Sequence, residues 1–110
     1  MANEIPKIQK ISTKEAIEEI EKFKGWLYVG PQPWSLESEG FFYSADMALL
    51  PADEKKIRGE FEAQGWKITL SKEDIEDVIE NAKDQIEDPS IDQLFEAFNF
   101  FYENDAYIEW

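Results

Sequence analysis

The stretch "SKEDIEDVIENAKDQIEDPSIDQLFEAFNFFY", from Ser71 to Tyr102, admits few folds, because it holds two helical periods separated by the breaker "EDPS". In the first, Ile75, Val78, Ile79, Ala82 and Ile86 recur at helical spacing, which puts them on one face of a helix from about Lys72 to Ile86. Ser71 has Asp74 three residues later, the capping-box distance. In the second, Ser90 and Gln93 repeat that spacing, and Leu94, Phe95, Phe98, Phe101 and Tyr102 form one apolar stripe. Two successive helices with apolar faces need a third layer to cover them.

The upstream sequence supplies it. "ISTKEAIEEIEKFKG" predicts an amphipathic helix, with Ser12 and Thr13 as N-cap candidates and Glu15 three residues after Ser12. Ala16, Ile17, Ile20 and Phe23 share its apolar face, and Gly25 stops it. "WLYV" is a short strand ended by the Gly30-Pro31 turn. "PQPW" reads as a loop or an edge, since proline has no amide to donate to a ladder, and Trp34 stands at its end. "GFFYSADMALL" predicts a second strand closed by Pro51. A helix is expected next, from about Ala52 or Asp53 to Gln64, with Ile57 and Phe61 as its apolar pair. "WKITL" alternates Trp66, Ile68 and Leu70 against Lys67 and Thr69, the period of a half-buried strand. The expected architecture is α/β (α+β): one domain over residues 1–110, a short, mostly antiparallel sheet of about three strands packed by about four helices. A chain of 110 residues suffices for one core without disulfides.

The chemistry on offer is narrow. There is no cysteine and no histidine, so Ser–His and Cys–His pairs, thiolate sites and histidine-containing zinc sites cannot be built. The five glycines are isolated, and none forms a phosphate-cradling loop. "DIEDVIENAKDQIED" lacks the glycine of a calcium loop and keeps a helical period instead. Carboxylates are plentiful, but with 25 acids some pair will lie at any chosen separation. The expectation is a protein that is not an enzyme and holds no cofactor or metal. No run of about 18 apolar residues spans a membrane, and "MANEIPKIQK" is unlike a leader peptide. A cytoplasmic protein is expected, monomeric by default.

The net charge of −14 exceeds the magnitude of about 2–8 common for small domains. It is also uneven: residues 1–70 carry 12 acids and 9 bases, residues 71–110 carry 13 acids and 2 bases. Such a field disfavours nucleic acid and anionic membranes as partners and favours a basic protein; simple solubility is the plainer alternative. On the helix after Ser71, Glu73, Glu76, Asp77, Glu80 and Asp84 fall on one stripe opposite the apolar face. Like charges at neighbouring helix positions cost about 0.2–0.5 kcal/mol each. Either the stripe meets Lys and Arg of a partner, or it is a solvated face. The tail adds Glu103, Asp105, Tyr107 and Trp110 as candidate contacts, and Trp34 is a candidate anchor, Trp and Tyr being enriched at interface hot spots. Core packing, or a final edge strand in "AYIEW", would account for those aromatics equally.

The segment from Ile75 to Trp110 resembles the C-terminal half of a family of small acidic bacterial immunity proteins, found beside toxins of contact-dependent inhibition and related systems. The likeness rests on Glu80-Asn81-Ala82-Lys83-Asp84-Gln85, on Pro89-Ser90, and on Glu96 through Ile108, where Asn99, Tyr102, Asn104 and Asp105 match the motif. "WLYV" resembles the family's N-terminal strand. The resemblance implies a stoichiometric inhibitor of a cognate toxin domain and supplies no catalytic residues. A cationic, nuclease-type toxin would suit the charge. The alternative is an acidic nucleic-acid mimic or adaptor that binds a basic housekeeping or phage-related protein through the same surface.

Overall fold

A computed structural model describes residues 9–45 and 49–110. At its centre lies β2, Trp26–Val29, an apolar run whose Leu27, Tyr28 and Val29 are all buried. Alternation sends Leu27 and Val29 to one face of the sheet and Tyr28 to the other, so helices must cover both. β3, Glu39–Tyr43, pairs antiparallel with β2 from Val29↔Gly40 to Trp26↔Tyr43. Gly40 is required there: a Cβ would stand 2.4 Å from the Tyr28 carbonyl oxygen. β1, Ile11–Ser12, adds to the outer edge of β3, and β4, Lys67–Ser71, to the free side of β2. The described strands form one antiparallel sheet of order β1-β3-β2-β4.

On the Leu27 face pack α1, Thr13–Glu18, α3, Lys72–Gln85, and α4, Ile91–Asn104. Ala16, Ile17, Ile75 and Phe98 close this core. On the Tyr28 face packs α2, Pro51–Ala63, where Ile57 and Phe61 meet Tyr28, Phe41 and Tyr43. The helix starts are set by the caps: Ser12 Oγ accepts from the Glu15 N–H, Ser71 Oγ from Asp74, and Ser90 with Gln93 closes a reciprocal capping box. α2 starts on Pro51, whose missing N–H costs nothing at the first helical position.

The α+β architecture is the one expected: among the described residues an antiparallel sheet is packed by four helices, with Ile11–Ser12 adding a two-residue edge strand before Ser12 caps α1. Three local expectations are corrected. The N-terminal helix is α-helical only to Glu18 and continues as a 3₁₀ turn, Ile20–Lys22. The second strand ends at Tyr43, with Ser44 and Ala45 irregular; residues 46–48 of that run lie outside the described residues, as do residues 1–8. Leu70 does not share a face with Ile68. The β2–β4 register shifts by one between Tyr28↔Ile68 and Trp26↔Ser71, so Leu70 joins the α3 core while Ile68 joins the α2 core. The buried Thr69 hydroxyl donates to the Leu27 carbonyl at 2.8 Å within that bulge.

One polar cluster, half-buried, joins α2 to the sheet. Arg58 Nη1 donates to the Tyr28 hydroxyl at 2.7 Å, its Nε donates to Glu54 at 2.9 Å, and its guanidinium lies 5.1 Å from the centre of the Tyr43 ring. Burial pushes the Tyr28 hydroxyl above its ordinary value of 10.0, against the lowering by the Arg58 hydrogen bond. A phenol whose folded pKa is raised contributes stability that is complete below pH 10 and is lost as pH climbs through the folded value. Alkaline unfolding is therefore expected to begin near pH 10, followed by phenolate absorbance and circular dichroism together. In Tyr28→Phe that alkaline loss should shrink; an identical profile would place its origin elsewhere.

Candidate functional site

α3 turns Ile75, Val78 and Ala82 inward, and helical geometry then fixes what faces out. Glu73, Asp77, Glu80 and Asp84 are exposed, and Glu76 is half-buried at the edge of the same stripe. From Glu73 to Asp84 the stripe runs about 16 Å along the helix axis. Among the described residues the ion pairs are Lys22–Glu19 and Arg58–Glu54, so no carboxylate of α3 is paired. Lys83 is exposed and makes no ion pair among these residues.

The tail after α4 does not extend the sheet. Asp105 takes the left-handed conformation, φ 52°, and its N–H donates to the Phe101 carbonyl, which ends the helix. The chain then turns back across the α3–α4 pair. Tyr107 lies 5.3 Å from the Phe101 ring. Gln85, in the last turn of α3, holds the end of the chain: its Nε2 donates to the Ile108 carbonyl and to Asn81 Oδ1, and its Oε1 accepts from the Trp110 N–H. Tyr107 and Trp110 stay 42% and 43% exposed. Gln85 thus brings the Trp110 backbone to the C-terminal end of the helix that carries the acidic stripe, while the Tyr107 ring lies on α4. Gln85 was not among the expected site residues, since nothing local in the sequence signals a contact across 25 positions.

The remaining candidates go elsewhere. Trp34 is half-buried: its indole N–H donates to the Gly30 carbonyl at 2.8 Å, and its ring packs edge-on against Tyr102 at 4.9 Å. It is a wall of the fold rather than a free anchor. With Gln32, Pro33, Asn99 and Glu103 it lines an open groove of about 530 Å³, so Trp34 and Glu103 are brought together, but apart from the tail. Two motif residues have structural partners: Asn104 donates to the Phe100 carbonyl, and Tyr102 packs on Trp34. No group of three metal-ligating side chains is found among the described residues, and no helix there is long and apolar enough to cross a membrane.

The Gln85 clamp predicts a local effect. In Gln85→Ala, residues 107–110 should gain fast backbone motion by ¹⁵N relaxation, while α3 and α4 amides keep their shifts. Gln85→Glu keeps the acceptor for the Trp110 N–H but loses both donors, and should fall between. An unchanged tail in Gln85→Ala would show that Tyr107 packing alone holds it.

Residues 10–110 match the family model described as Domain of unknown function (DUF7716), and the chain belongs to that family. No curated protein and no solved structure matches it.

Proposed function

We propose that this family member is an immunity-type inhibitor: it binds a basic, nuclease-type toxin domain in the cytoplasm, one to one, and covers its active site. The α3 face carries the reading. Four exposed carboxylates and a fifth at their edge stand on one helix with no cationic partner among the described residues. Their mutual repulsion costs stability, and a lysine- and arginine-rich surface would relieve it. An enzyme that acts on nucleic acid needs such a basic cleft. Complementary fields raise association rates by about 10–10³-fold and fix the docking register. Tyr107 on α4 and Trp110 at the end of α3, both half-open, offer the contact area that charge alone lacks. The likeness of Ile75–Trp110 to immunity proteins agrees with this use. The chain performs no chemistry in this reading and holds no cofactor.

The test is affinity capture with the tagged protein from its own cells, washed at low and then high salt. One basic partner retained near one-to-one, whose toxicity is suppressed on co-expression, is the expected result. A broad set of nucleic-acid-binding proteins released together as salt rises would replace inhibition with nucleic-acid mimicry.

A further inference from the structure

At the end of the sheet where β2, β3 and β4 meet the last turn of α2, a second open cleft of about 390 Å³ is lined by Gly30, Pro31, Glu37, Glu39, Gln64 and Trp66 among others. It lies on the Tyr28 face, since Trp66 packs in the α2 aromatic cluster, edge-on to Phe41 at 5.1 Å. α3 covers the opposite face, so this cleft is separate from the stripe. Two backbones leave it open. Gly30 has no side chain, and a Cβ there would reach ordinary contact with the Trp66 ring at 3.8 Å; a Cβ on Gly65 would meet nothing within 4 Å.

Its chemistry is that of a cation receptor. Trp66 is half-buried and fixed, its backbone N–H donating to the Phe61 carbonyl at 3.0 Å. Its ring already holds a positive charge: Lys10 Nζ lies 5.6 Å from the ring centre. Glu37 and Glu39 are exposed and unpaired among the described residues. An indole beside two free carboxylates suits a planar guanidinium, which displaces the Lys10 ammonium from the ring and stacks there while its fork of N–H donors meets a carboxylate. We propose that the Trp66 cleft is a binding site for an arginine side chain of a partner polypeptide. The proposal does not depend on the α3 surface.

The probe is acetyl-Gly-Arg-Gly-amide, titrated into the ¹⁵N-labelled full-length protein, with the citrulline analogue as the uncharged control. The expected result is a saturable shift of the Trp66 indole N–H and the Gly30 and Gly65 amides by the arginine peptide alone. Glu37→Gln with Glu39→Gln, which leaves the aromatic core untouched, should weaken binding about tenfold. Trp66→Leu, if folded, should abolish it. Asp77→Lys with Glu80→Lys should leave it unchanged, so failure here and failure of the α3 reading are distinguishable. Shifts that never saturate, that centre on α3, or that survive the double glutamine substitution would overturn the proposal.

Discussion

Reversing two charges on α3, Asp77→Lys together with Glu80→Lys, is expected to slow association with a captured basic partner by about 10–10³-fold at low salt. Both side chains are exposed on the centre of the stripe, and neither is ion-paired among the described residues. Folding should hardly respond, since exposed substitutions away from caps and cores stay within about 0.5 kcal/mol. Glu76 is a poorer target because it is half-buried, so its loss would mix packing with charge. The salt dependence of the association rate should flatten in the double variant, because fewer charges remain to be screened. Stopped-flow association over a range of ionic strength reads both quantities. A double variant with wild-type rate and slope would take the stripe out of recognition.

The second large effect concerns the α2 face. Phe61→Ala is expected to cost about 3–5 kcal/mol, the range for emptying a buried phenylalanine site. Phe61 is fully buried and stands edge-on to Tyr28, Phe41 and Tyr43 at 5.2, 4.9 and 5.3 Å. These are ring-centre separations at which edge-to-face pairs add to area burial. Three rings anchored on two paired strands cannot collapse into the void without breaking the register between Tyr28 and Phe41. For a chain of this size each kcal/mol lowers the melting temperature by about 4 °C or more, so a drop of about 12 °C or more should appear. Affinity for a partner on α3 should survive in the folded fraction, because Phe61 lies on the other face of the sheet. A cost under about 1 kcal/mol would mean that the cluster repacks and that α2 is held mainly elsewhere.

What the sequence disclosed was mostly local. Ser71 with Asp74 and Ser90 with Gln93 marked two helix starts because a cap is decided within four residues. The stripe from Glu73 to Asp84 was legible for the same reason: helical spacing alone sets which side chains share a face. What stayed hidden depends on distant partners. Ile11–Ser12 is too short for any period, and becomes a strand only because Gly40 and Glu39 lie alongside it. The alternation in "WKITL" misplaced Leu70 because the bulge is fixed by the Leu27 carbonyl, 42 positions from Thr69. For Trp34 the sequence left anchor and core packing both open, and only the fold shows its ring on Tyr102 and its N–H on the Gly30 carbonyl. The tail's aromatics could equally have formed a strand. Gln85 decides against that, and it brings Trp110 to the end of the acidic helix.

The most direct measurement is a footprint: amide hydrogen exchange of the full-length protein, free and bound to the partner that capture identifies. Docking through the acidic helix predicts slowed exchange along α3 and at residues 107–110, with α2 and β1 unchanged. Slowing confined to α2 or to the Trp34 groove, with α3 exchanging as in the free protein, would contradict it.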